Sequence, residues 1–226
     1  MGAPVVEAVA FDVNETLFSL ARLRPAFGQV GLAADLVPLW FARLLRDGFA
    51  LTAVGGYRPF ADLAGDTLRG LAPDRIGEPE VAVVLGAFRE LDPQPDVEPA
   101  LRRLHHAGVP AVTLTNGSAD LAGTLLRRAG LDGYLRANLS VDAVRRWKPA
   151  PEPYRYAAAE LGVDPDRLAL VAAHGWDCAG AARAGLRTGW IPRTEPRWPE
   201  AFPPPDVTAT DLPAVITALL DPPSAG

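Results

Sequence analysis

The stretch Val5-Val6-Glu7-Ala8-Val9-Ala10-Phe11-Asp12 is an apolar run broken only by Glu7 and stopped by a carboxylate. A run this short, ending this abruptly, predicts a buried strand of a parallel sheet with Asp12 delivered at its C-terminal edge. Four further runs follow at residues 110–114, 137–141, 168–173 and 188–191. Helical stretches at 99–106, 119–129, 153–161 and 178–184 alternate with them. Alternation at this spacing predicts an α/β fold, a Rossmann-like parallel sheet flanked by helices. In such sheets ligands bind beyond the C-terminal strand ends, where the strand order reverses.

Between the first strand and the second lies a long segment with helical periodicity and no convincing strand. Residues 36–47 carry an apolar stripe of Val37, Trp40, Phe41, Leu44 and Leu45, with Arg43 and Asp47 spaced to pair on the other side. A loop of that length inside one sheet would be odd, so residues 18–92 are expected to form an inserted helical cap. Residues 1–17 and 93–226 are then the core, rejoined through a proline-rich hinge at 91–96. The apolar cap stripe would serve a homodimer as well as the core. After Pro192 the chain turns proline-dense and reads as a surface crossing without chemistry, before a short strand at 207–209 and a helix from Asp211.

The 226 residues are 49% apolar and 22% charged with a net charge of −5, the composition of a folded chain and a poor match to a nucleic-acid partner. No stretch approaches the roughly 20 apolar residues of a membrane helix, and Glu7 stands where a signal peptide would place its basic flank. A cytoplasmic location without membrane partners is therefore expected. The single Cys178 excludes an intramolecular disulfide or a thiolate-rich metal cluster and reads as a small core filler. Of 22 basic residues only Lys148 is a lysine. In a chain so biased towards arginine, a lone compact ammonium points to a chemical role that a planar guanidinium cannot fill.

Strand exits gather polar residues at one edge: Asp12 and Thr16; Thr115, Asn116 and Ser118; Lys148; His174 and Asp177. Singly, each has an ordinary reading as a helix cap, a turn or a surface residue. Their convergence on one crevice is what marks a site.

These residues resemble the motifs of the haloacid dehalogenase superfamily, in particular its L-2-haloacid dehalogenase branch. Phe11-Asp-Val-Asn-Glu-Thr-Leu-Phe18 is similar to the first motif, with Asp12 as nucleophile and Thr16 four residues on. Leu114-Thr-Asn-Gly-Ser118 is similar to the second. Lys148 in Trp147-Lys-Pro-Ala-Pro-Glu-Pro-Tyr154 is similar to the third, and Leu170-Val-Ala-Ala-His-Gly-Trp-Asp177 to the fourth. The resemblance implies a metal-free hydrolase without cofactor, acting on a small-molecule substrate. Asp12 attacks the halogen-bearing carbon to form an aspartyl ester, and water then hydrolyses it.

The same resemblance implies the supporting roles. Lys148 holds Asp12 ionised, Thr16 and Ser118 donate to substrate or nucleophile, Asn116 faces the leaving halide beside Thr115, and Asp177 positions Lys148 or the water. Tyr154 is either the tyrosine the family keeps near its site or a helix residue packed on the sheet. Asn14 replaces the acid–base aspartate of the phosphatase branch, and Ala172 replaces an acidic residue there, so a magnesium site is a carboxylate short. Phe41 stands where the haloacid enzymes place an arginine, and His174 where they place an asparagine near the water. An imidazole there is either a general base or a substitute hydrogen-bonding group. Two alternatives stay open at this point: a magnesium-dependent phosphatase that tolerates these changes, and a binding member that has lost turnover.

Overall fold

The computed structural model of the chain describes residues 5–221. Residues 1–4 and 222–226, assigned from sequence to the two core segments, lie outside the described residues. The first strand, β1 (Ala8–Phe11), is buried along its whole length. It stands at the centre of a six-stranded sheet with β4 (Ala111–Thr115), β5 (Ala137–Ser140), β6 (Leu168–Ala172), β7 (Arg187–Trp190) and β8 (Val207–Thr208), in the order β5-β4-β1-β6-β7-β8. Every pairing is parallel. Strand order reverses at β1, whose neighbours are β4 on one side and β6 on the other, so Asp12 leaves the sheet at the switch point.

Alternation along β1 explains why both faces are covered. Val9 and Phe11 belong to one apolar cluster, with α5 (Val97–His106), α6 (Ala119–Arg128) and α9 (Leu212–Leu220). Ala8 and Ala10 belong to a second, with α7 (Pro151–Leu161) and α8 (Gly175–Arg183). α9 starts on the side chain of Asp211, which accepts from the Ala214 N–H, and α7 ends on Gly162 in the left-handed region at φ 71°.

The helical insertion contains α1 (Leu23–Gln29), α2 (Val37–Ala53), α3 (Phe60–Arg69) and α4 (Glu78–Ala87). Its two ends are joined by an antiparallel ribbon of β2 (Phe18–Ser19) and β3 (Asp92–Pro93), which corrects the strand-free reading of this segment. Strands of two residues are too short to leave an alternating pattern. The apolar stripe on α2 is consumed within the chain: Val37, Trp40 and Leu44 are buried, and Trp40 packs edge-on against Phe27. Asp47 pairs with Arg46 at 2.8 Å, the expected Arg43 partner being replaced by its closer neighbour.

The insertion lies against the core beside Lys148. Trp147 donates its backbone N–H to Thr52 Oγ1 at 3.1 Å and its indole N–H to the Arg58 carbonyl at 3.0 Å, and its ring stacks on Phe60. Gly48 makes this approach possible, since a Cβ there would lie 2.4 Å from the Trp147 ring. Among the described residues no helix is long and apolar enough to cross a membrane.

Candidate active site

Lys148 is fully buried, and its ammonium uses all three donors. It reaches Asp12 Oδ1 at 2.9 Å, Asp177 Oδ2 at 2.6 Å and the Leu114 carbonyl at 2.8 Å. Three elements of the sheet edge are thus tied by one cation. Asn116 fixes the lysine backbone: its Oδ1 accepts from the Lys148 N–H at 2.9 Å. Gly180 lets α8 approach this turn, because a Cβ there would lie 2.6 Å from both Pro149 and the Tyr154 hydroxyl.

Asp12 lies one residue beyond β1, its N–H still donating to the Val171 carbonyl at 3.1 Å. Thr16 closes the turn by donating to Asp12 Oδ2 at 2.7 Å while accepting from the Ala173 N–H at 3.0 Å. Burial works against a charged Asp12, but the Lys148 ammonium and His174 outweigh it and hold the carboxyl well below the usual carboxylate range. Burial would also strip Lys148 of its proton; the carboxylates of Asp12 and Asp177 reverse this and raise it. Asp177 is pushed up by burial and by the nearby Asp12 charge. Of the two carboxyl groups on Lys148, Asp12 is thus the one whose charge the surroundings favour more strongly.

His174 completes the cluster in a way the sequence did not disclose. Its Nε2 lies 2.9 Å from Glu15 Oε2 and its Nδ1 3.4 Å from Asp12 Oδ2, so the imidazole stands between two carboxylates. Burial alone would lower its proton affinity, yet Asp12 and Glu15 together raise it from 6.5 to about 10. Glu15 was missed because its side chain is aimed by an unusual backbone, at φ 65° in the region that disfavours side chains. Its place between Asp12 and Thr16 was the available signal. Such backbone strain is often retained at functional sites.

The other expected site residues lie around this cluster. Tyr154 is buried behind it and donates to Asp177 Oδ1 at 2.7 Å, so it holds Asp177 in place. Asn116 is occupied with the Lys148 backbone, and Thr115 Oγ1 accepts from the Gly117 N–H at 2.9 Å. Ser118 caps α6 by accepting from the Leu121 N–H at 3.2 Å, and it opens onto a separate cavity beside Phe60 and Arg89. Asn14 is buried in the turn after β1, where its backbone bridges to Phe18. Phe41 is 5% exposed and shares a cavity with Glu15 and His174.

The proline-dense crossing contributes as well, against expectation. Glu195 Oε2 accepts from the Gly175 N–H at 3.0 Å, in the first turn of α8, and lines the same cavity. Among the described residues no group of three or more His, Cys, Asp or Glu side chains is arranged to hold a metal ion.

The saturated ammonium leads to a firm expectation for Lys148→Arg. A planar guanidinium cannot place three donors on this compact triangle, and a shift of about 1 Å at the nucleophile costs on the order of 100-fold. Steady-state turnover by the purified variant should fall by at least that factor; retention of most activity would show that the cation matters only as charge.

Comparison with known proteins places this constellation. A family profile described as haloacid dehalogenase-like hydrolase matches residues 6–185. The (S)-2-haloacid dehalogenase 4A of Burkholderia cepacia is 31% identical over 196 residues, covering 83% of this chain and 84% of that protein. The (S)-2-haloacid dehalogenase of Pseudomonas sp. (strain YL) is 30% identical over 221 residues, covering 93% of each. A solved structure of an L-2-haloacid dehalogenase superposes with a TM-score of 0.87 at 29% identity, covering 96% of this chain and 99% of that one. With the family profile matching residues 6–185 and a relative 31% identical over 83% of the chain, the chain belongs to the haloacid dehalogenase-like hydrolases.

Proposed function

We propose that the protein hydrolyses the carbon–halide bond of a 2-halo carboxylic acid through an aspartyl ester. The observation that carries this reading is the buried Asp12 carboxylate, kept ionised by Lys148 and oriented by Thr16. A carboxylate oxygen of Asp12 attacks the halogen-bearing carbon. The new C–O bond forms as the carbon–halogen bond breaks, and halide leaves with the bonding pair. Once Asp12 is esterified the imidazolium releases its proton to solvent; water then attacks the carboxyl carbon of Asp12 and gives one proton to His174, which passes it to the departing hydroxy acid, and the water's second proton moves from the re-formed carboxyl back to His174, restoring aspartate and imidazolium.

His174 suits the second half because esterification removes one of its two carboxylate partners. With Asp12 neutral, only Glu15 continues to favour the imidazolium, so its proton affinity drops towards the range in which a neutral imidazole accepts a proton. Glu15 then orients the ring through Nε2, leaving Nδ1 towards the ester. The tautomer is set by that contact. Residues 18–92 serve as the cap that closes over the bound acid.

Incubation with 2-bromopropionate in heavy-oxygen water, followed by mass spectrometry of the peptide containing Asp12, tests the route. Multiple turnovers should place heavy oxygen in Asp12; label found only in the product would mean that water attacks the substrate directly.

Phe41 bears on the substrate. A halo carboxylate gains from a cation near the leaving group, and the cation that lines this cavity from α2, Arg46, is engaged with Asp47 at 2.8 Å. Phe41→Arg should therefore raise kcat/KM on 2-chloropropionate by about tenfold, the worth of one charge-assisted hydrogen bond of roughly 1.5 kcal/mol. An unchanged value in halide assays would locate the carboxylate elsewhere.

A further inference from the structure

The imidazole of His174 has one nitrogen engaged and one open. Nε2 lies 2.9 Å from Glu15 Oε2, whereas Nδ1, in a residue only 6% exposed, has no hydrogen-bond partner among the described residues. Its contact with Asp12 Oδ2, at 3.4 Å, is ionic and too long for a good hydrogen bond. Trp176 stacks on the ring with centroids 5.3 Å apart and fixes its plane. Buried polar nitrogens are normally paired, so one held open beside a nucleophile calls for a task.

Displacement of halide gives that nitrogen nothing to do in the first step. Halide is too weak a base to take a proton, and the imidazolium must give its own to solvent before water can be activated. The same geometry matches a leaving atom that needs a proton. Attack neutralises Asp12, one of the two carboxylates that hold the proton on the ring, so His174 becomes the stronger acid as the bond breaks. Charge points the same way. Lys148 has all three donors in use, and Arg46, which lines the cavity over His174, is engaged with Asp47. Glu15 and Glu195 line that cavity too. A substrate carboxylate finds both cations engaged and meets two like charges, whereas a neutral electrophile gives up nothing there.

We propose that this site also hydrates a neutral epoxide, with Asp12 as nucleophile and His174 Nδ1 as proton donor to the ring oxygen. The proposal shares its nucleophile with the dehalogenase reading and goes beyond it. An oxygen of Asp12 attacks a ring carbon, the ring C–O bond breaks as the new one forms, and the electron pair released on the ring oxygen takes the Nδ1 proton. The second C–O bond keeps that oxygen tethered close to the carbon under attack. The result is a hydroxyalkyl ester of Asp12 beside a neutral imidazole, already the base that the next step needs. Water attacks the carboxyl carbon and gives one proton to His174, which passes it to the departing diol oxygen. The second proton of the water returns from the re-formed carboxyl to His174. Aspartate and imidazolium are restored without exchange with solvent, and the net reaction joins epoxide and water in a 1,2-diol.

Racemic 1,2-epoxybutane and 2-bromopropionate, each incubated with wild type, His174→Gln and His174→Asn, test it, with diol and halide measured and the peptide containing Asp12 analysed by mass spectrometry. Wild type should form butane-1,2-diol, and in heavy-oxygen water the label should enter Asp12. Both variants should form the hydroxybutyl ester of Asp12 about 10²–10⁴-fold more slowly, the usual worth of a positioned acid. The ester from 2-bromopropionate, whose halide needs no proton, should still accumulate in them. Two variants without an imidazole keep the test decisive if one folds poorly. Halide release by wild type without diol overturns the proposal and leaves the dehalogenase reading standing. Diol without halide release upholds the proposal and overturns that reading. Epoxide-derived ester formed at the wild-type rate in a folded variant overturns the role of His174. Neither product from wild type overturns both.

Discussion

Asp12→Asn should release no measurable halide, a loss of about 10⁴-fold or more, as expected when the covalent nucleophile of an enzyme is removed. The amide retains the volume of the side chain and can still accept from Thr16, so geometry is nearly preserved while the negative oxygen is lost. Folding should survive. Lys148 keeps Asp177 and the Leu114 carbonyl, and the destabilisation should stay below the roughly 3–5 kcal/mol that follows when a buried charge loses its partner outright. Removing the Asp12 charge also relieves Asp177, which it pushes up. The measurement is halide release alongside a thermal melt. Residual turnover within about 100-fold of wild type in a folded, undeamidated protein would mean that another group is the nucleophile.

His174→Gln separates the two halves of the reaction. The first equivalent of halide should appear at close to the wild-type rate, since attack depends on Asp12 and Lys148. Subsequent turnover should slow by about 10²–10⁴-fold, the usual worth of a positioned general base. The peptide containing Asp12 should then carry the added mass of the acid. Without that accumulation, water activation belongs to another group, and Asp177 is the nearest such carboxylate beside Lys148.

The same substitution has a signature in stability that a purely catalytic role would not produce. The folded value of His174 is raised from 6.5 to about 10. Its interactions with Asp12 and Glu15 therefore contribute stability that is fully present below about pH 6.5 and is lost as pH rises through about 10. Between those limits the wild-type Tm should fall more steeply than that of His174→Gln. Equal slopes would mean that the imidazole is neutral in the resting protein.

Much of the site was legible from local rules. The apolar run ending at Asp12 marks a buried strand because period and length suffice to define one, and the switch point follows from the order of alternating strands and helices. The solitary Lys148 could be singled out because composition removed every other lysine. That it is fully buried with all three donors used is a tertiary fact, set by three elements meeting from residues 12, 114 and 177. Thr115, Asn116 and Ser118 lie at the end of β4 and Tyr154 on α7, but motif position alone could not say which way each side chain turns. Three bind the chain that supports the site, and Ser118 caps a helix.

Chain order therefore determined the sheet, the helical segment between its first two long strands and the delivery of Asp12 at a strand end, all of which depend on patterns within a few residues or on the sequence of elements. Only the folded chain decided that Glu15 and His174 join Asp12 in one charged cluster, and that Phe41, buried in the core, also lines the cavity over Glu15 and His174. The first depends on one backbone angle at Glu15 and on a contact between residues 159 positions apart. The second depends on how α2 is rotated against α8, and a stripe of apolar residues reads the same whether it faces packed neighbours or an open groove.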